Sequence, residues 1–133
     1  MTQDLQTPTL VEQPSAFDFP ETLQRIVAAI ESKGLRVFAQ IDHAAGAAEV
    51  GLSMPPTTVL VYGHPKGGTP MMLAAPRSAL DLPLHLLVRV DADGSTRVAF
   101  HPVAALLVAA GVPADLAAKL APAQALVLAA IQG

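Results

Sequence analysis

Two alternating runs joined by one turn signal constrain this chain more than any other feature. Leu84, Leu86, Val88 and Val90 alternate with His85, Leu87 and Arg89, and Val98 and Phe100 alternate with Arg97 and Ala99. A period of two marks a strand with one buried face. Between the runs, Ala92-Asp93-Gly94 predicts a three-residue hairpin loop with Gly94 in the left-handed bulge position. That register sets Arg89 opposite Arg97 and His85 opposite His101, both on the less apolar face. A two-residue Asp93-Gly94 turn would place Arg97 against Val90 instead. A one-residue slip turns a whole strand face outward, so the three-residue loop is the expected one.

The remaining elements follow from punctuation and period. Residues 1–8 are polar without periodicity and are expected to be a disordered tail, leaving 9–133 as a single domain. Leu10 to Gln13 reads as a short edge strand ended by Pro14. Asp18 and Glu21 have capping-box spacing, and Leu23, Ile26, Val27 and Ile30 share one helical face. Gly34 supplies the left-handed position that ends that helix. Leu35, Val37, Ala39 and Ile41 alternate as a half-buried strand. Ala44 to Val50 can make two helical turns ended by Gly51. Val59 to Tyr62 is a continuous apolar run, expected to be a central strand buried on both faces. After Pro102 the pattern gives a helix over Val103 to Ala110 stopped by Gly111. Pro113 opens a second helical stretch, and Pro122 restarts it. The order is βαββββα: an α+β fold with a largely antiparallel sheet and helices packed on one face.

Composition limits what this domain can do. Only 14% of the 133 residues are charged, against roughly 25% in typical domains. So few charges predict exposed apolar surface, and hence a homo-oligomer, most simply a dimer. The net charge is −3, with eight scattered Lys and Arg, one Tyr and no Trp. Nothing there neutralises a phosphate backbone or stacks bases, so no nucleic acid partner is expected. Zero cysteines exclude thiolate nucleophiles and Cys-based metal sites. The N-terminus reads as no signal peptide, and the apolar run Val103 to Val112 is too short to span a bilayer. The default expectation is a cytoplasmic protein without a membrane partner.

A series of short motifs covers residues 18 to 131 in order. Glu21-Thr22-Leu23 opens the first helix and Gly34-Leu35 closes it. Ile41-Asp42-His43 follows, with Ala44 and Ala48, then Pro56-Thr57, Gly63-His64-Pro65, Met72, and Ala79-Leu80-Asp81-Leu82-Pro83-Leu84. In these pieces the chain resembles the bacterial family known as domain of unknown function 302. The resemblance implies the same βαββββα plan and no established reaction. Some members of that family occur beside membrane or redox-associated domains. The chain departs from the pattern at His64, where Asn is more usual.

Residues without an evident folding use gather in the same stretch. His43, after Asp42 at a strand end, is a candidate metal ligand or general base oriented by Asp42 or Asp81. The alternative is that Asp42 or His43 caps the following helix. Gly63, His64, Lys66, Gly67 and Gly68 form a Gly-rich segment after a buried strand, where backbone amides could approach an anion beside Lys66. It matches neither a Walker A nor a GxGxxG loop, and the alternative is a tight connection. Asp81, between Leu80 and Leu82, is expected to be bonded to backbone amides or paired with Arg77, or else to act as an acid. His85 and His101, as cross-strand neighbours, would make with His43 a three-nitrogen metal set. Two solvent-facing histidines are the alternative. Met71 and Met72 are expected to fill gaps.

Three functional readings follow. The leading one is a dimeric domain that binds a small anionic or metal-containing ligand near His43, the Gly-rich segment and Asp81. The second is an enzyme with His43 as general base and Asp81 as its partner. The third is a structural or interaction module without a pocket.

Overall fold

The computed structural model describes residues 9–133, so the tail expected over 1–8 lies outside the described residues. The strands are β1 (Val11–Pro14), β2 (Arg36–Asp42), β3 (Thr57–Gly63), β4 (Leu84–Val90) and β5 (Thr96–Phe100). They form one sheet in the order β1-β5-β4-β3-β2, antiparallel at every pairing. The helices are α1 (Phe19–Ser32), α2 (His43–Glu49), α3 (Pro65–Ala74), α4 (Val103–Ala109), α5 (Ala114–Ala117) and α6 (Pro122–Ala130). The fold is α+β, with the expected order of strands and with α3 added between β3 and β4.

One face of the sheet carries the core. Leu60 and Tyr62 of β3, Leu86 and Val88 of β4, and Val98 of β5 pack against Ile26 and Ile30 of α1, Leu107 of α4 and Val127 of α6. The hairpin has the register its sequence dictates: Leu87 faces Ala99, Arg89 faces Arg97 and Val90 faces Thr96. The Asp91 N–H donates to the Ser95 carbonyl at 2.8 Å and the Gly94 N–H to the Asp91 carbonyl at 2.9 Å, with Gly94 at φ +84. Two arginines directly opposite would repel. Asp91 sits between them, with Oδ1 3.0 Å from Arg89 and Oδ2 2.9 Å from Arg97 Nε. The second of these is a charge contact without hydrogen-bond alignment. Glu12 of β1 takes the other side of Arg89 at 3.0 Å.

The first helix obeys local rules at both ends. Asp18 caps it, accepting the Glu21 N–H at 3.0 Å. The carboxylate of Glu21 turns to Arg25 at 2.8 Å, so the reciprocal half of the capping box is replaced by an i,i+4 pair. At the other end Gly34, at φ +76, donates to Glu31, and Leu35 donates to Ile30. That double bond pattern is a Schellman stop.

Three local readings are corrected. A bulge between Val37 and Ala39 splits the β2 set. Val37 lies opposite buried Tyr62, whereas Ala39 and Ile41 lie opposite Val61 and Val59 on the other face. The extra residue reverses the alternation. Strand β3 is buried on one face and half-buried on the other, because among the described residues the core helices pack against the face of Leu60 and Tyr62. The Gly-rich segment after β3, expected to be a loop, is the first turn and a half of α3. Among the described residues no helix is long and apolar enough to cross a membrane.

Candidate functional site

A cleft of about 530 Å³ opens where α3 leaves the sheet. Its walls come from five places. The end of α1 gives Lys33, Gly34 and Leu35, and β2 gives Phe38. The start of α3 gives His64 to Thr69 and Met72, and the approach to β4 gives Leu82 and Pro83. Leu120 and Ala123 close it from the C-terminal helical region. The lining is mostly apolar and, among the described residues, contains Lys33, Lys66 and His64 but no carboxylate.

Helix α3 is an unfavourable sequence for a helix. Gly67 and Gly68 each weaken it by about 1 kcal/mol relative to Ala. Pro70, inside the helix, lacks the N–H that would bond the Lys66 carbonyl. What the glycines give in return is room. A Cβ on Gly67 would stand 3.1 Å from Leu120 Cδ2, and one on Gly68 would stand 3.8 Å from Leu82 Cδ1 and Met72 Cε. A Cβ on Gly63 would meet Pro83 and Phe38, at a φ of +152 that side chains rarely adopt. Every one of those neighbours lines the cleft. The glycines let the backbone pass close to these cleft-lining residues, most tightly at Gly67 against Leu120.

The start of α3 is capped internally. His64 stands at the N-cap and its Nδ1 accepts the Lys66 N–H at 3.0 Å. The Gly67 and Gly68 amides both donate to the His64 carbonyl, at 3.0 and 3.1 Å. Pro65 has no N–H. The amides expected to cradle an anion are therefore already bonded, and the positive charge at the cleft comes from Lys33 and Lys66. His64 performs the capping that Asn performs well.

Behind the cleft a polar frame ties helices to sheet. The Tyr62 hydroxyl donates to the Ala123 carbonyl at 2.8 Å, and burial pushes its pKa well above the ordinary phenol value. One residue on, the buried Gln124 amide accepts the Val103 N–H and donates to the His101 carbonyl, each at 2.9 Å. Gln124 thus joins the end of β5, the start of α4 and α6.

Residues 11–132 match the family described as domain of unknown function DUF302. The chain belongs to that family. Its fold is that of a DUF302 protein from Bacillus stearothermophilus, with a TM-score of 0.78 at 18% identity, covering 92% of this chain and 94% of the other. Over 85 residues it is 40% identical to proteins named fluoride-specific ion channel FluC 1 in Brucella suis and Brucella abortus. Those matches cover 64% of this chain and 34% and 32% of the relatives, so the chain spans about a third of their length.

Within this DUF302 domain the sequence-derived candidates separate into three places. Gly63, His64, Lys66, Gly67 and Gly68 all line the large cleft. Asp81, His85 and His101 line a second, smaller cleft of about 190 Å³. His43 lies in neither. Asp42 is the cap of α2, accepting the Ala45 N–H at 2.9 Å, and His43 is simply the first residue of that helix. Asp42 faces Thr58 at one end of β3, whereas Leu84, just after Asp81, faces Tyr62 at the other. Four residues of strand put about 13 Å between those ends. The pairing of His43 with Asp81 and the three-histidine set are thus not assembled. Among the described residues, no three His, Asp or Glu side chains gather to hold a metal ion.

Lys33, Phe38, Leu82, Met72 and Leu120 were not singled out as parts of a site by sequence reasoning. The available signal was the glycine pair four residues before Met72, a spacing that puts Gly68 and Met72 on one helical face.

Proposed function

We propose that this DUF302 domain is a non-catalytic recognition module that binds a small organic anion in the cleft beside α3 and self-associates. The observation that carries the reading is the pair Gly67 and Gly68. They weaken a helix and their missing side chains define the wall of a cleft of ligand size. Among the described residues the lining has Lys33 and Lys66 and no carboxylate, which favours an anion over a cation. Self-association is supported by five exposed large apolar side chains within a short stretch: Phe38, Ile41, Val50, Leu52 and Met54. It is also supported by β2, an edge strand of seven residues without proline. The Brucella relatives, named as channels and about three times as long as the matched segment, favour a recognition module that can accompany a membrane protein.

Native mass spectrometry of the protein purified from bacterial cells tests both parts. The expected spectrum is a dimer that retains an organic mass, and Gly68→Leu, which intrudes into the cleft between Leu82 and Met72, loses that mass while remaining dimeric. A wild-type monomer would overturn self-association. Equal retention by wild type and Gly68→Leu would overturn the cleft as the binding site.

A further inference from the structure

Resting on that reading of the cleft, we propose that its ligand is an amphipathic carboxylate, a single anionic head on an unbranched apolar chain of medium length. The interior surface is supplied by Leu35, Phe38, Met72, Leu82, Pro83 and Leu120, together with glycine backbone. Such a wall offers area to methylene groups and almost no partners to a polar body. A compact inorganic anion fits poorly, because the first-turn amides of α3 already donate to His64. A polyphosphate fits poorly too, since only Lys33 and Lys66 supply fixed positive charge. Both lysines are exposed, at the end of α1 and the start of α3. Their ammonium groups remain hydrated and meet a head group at the mouth, not at the floor. A wholly neutral chain would leave these two cations without a counterpart in a lining that holds no carboxylate. The chemistry of the two zones therefore calls for a chain inside and one carboxylate at the rim.

The test is isothermal titration of the full chain with hexanoate, octanoate, decanoate, decanol and inorganic phosphate, with amide chemical shifts of Gly67 and Gly68 followed in parallel. Affinity is expected to rise by up to about fourfold per added methylene along the carboxylate series. Decanol should bind about fivefold more weakly than decanoate, and Lys33→Met with Lys66→Met should bring decanoate down to the decanol value. Gly68→Leu should abolish binding of both, and phosphate should neither bind nor compete. Equal binding of decanol and decanoate overturns the carboxylate assignment. Binding of phosphate without decanoate overturns the amphipathic class while leaving an anion site in place. If no probe binds while the purified protein still carries an organic mass sensitive to Gly68→Leu, the ligand class is wrong and the cleft reading stands. If that mass is also missing, both fall.

Discussion

Helices α1 and α3 both begin with a side-chain cap, yet their sequences differ in kind. In α1 every local choice agrees with the helix: Asp18 at the cap, Leu23, Ile26, Val27 and Ile30 on one face, and Gly34 at the stop. In α3 a cap is followed by Gly67, Gly68 and Pro70, residues that oppose a helix. Packing holds it in place, through buried Met71 and through Ala75 just beyond its end. Agreement across levels marks a segment kept for folding, and a local violation with no folding benefit marks a segment kept for something else. Here the violation coincides with the wall of the cleft.

The largest effect that sharpens this contrast is expected in α1. Ile26→Ala removes a side chain with no exposure, and chemical denaturation should show a loss of about 2–5 kcal/mol. Ligand affinity measured where the variant remains folded should stay within twofold of wild type. A large loss of affinity would mean that α1 shapes the site beyond its Lys33 end.

Tyr62 links the core to the cleft through Ala123, and its expected effect is smaller. Tyr62→Phe should cost about 1 kcal/mol at neutral pH, through a lost buried hydrogen bond. The sign of its pH dependence follows from burial. The folded state holds the phenol proton to higher pH than the unfolded chain, whose phenol titrates near pH ~10. Stability from this group is therefore complete below that pH and is lost as the pH rises above it. Denaturation midpoints between neutral and alkaline pH should show the extra decline in wild type and not in Tyr62→Phe. Parallel curves would remove Tyr62 from the account.

The two caps give a finer comparison. Asp18→Ala and His64→Ala should each destabilise by about 1 kcal/mol. His64→Asn should restore stability and leave ligand affinity unchanged, since the ring nitrogen serves as an acceptor for the Lys66 amide. A His64→Asn variant that folds well and fails to bind would show that the imidazole touches the ligand.

The sequence was most legible where one interaction type decides the outcome. Gly94 and the alternation around it determine the β4–β5 register down to Arg89 facing Arg97. Gly34 and Gly111 mark helix ends by their backbone freedom. Legibility failed where tertiary packing overrides propensity. Gly67-Gly68 and Pro70 read as a loop because each opposes a helix on local propensity, yet packing makes them part of α3. The bulge at Phe38 is invisible to a strict period of two, so Ala39 and Ile41 were assigned to the wrong face. The site was partly legible: the glycines and His64 were singled out, but as an amide cradle. That the Lys66 amide goes to the His64 ring depends on a ring orientation no spacing reveals, and the Gly67 and Gly68 amides reach the His64 carbonyl only because the segment is helical. Leu120 and Ala123 lie more than fifty residues from the glycines, and only the folded chain brings them to the cleft.

On this reading Gly68 serves the space of the cleft and not the stability of α3. Its backbone is helical, and a Cβ there would make only ordinary contacts, at 3.8 Å. The direct measurement is the unfolding free energy of Gly68→Ala together with its affinity for decanoate. The expected variant is more stable by about 0.5–1 kcal/mol, from gained helix propensity, and binds more weakly. A destabilised variant with unchanged binding would mean the glycine serves the fold, and would contradict the account.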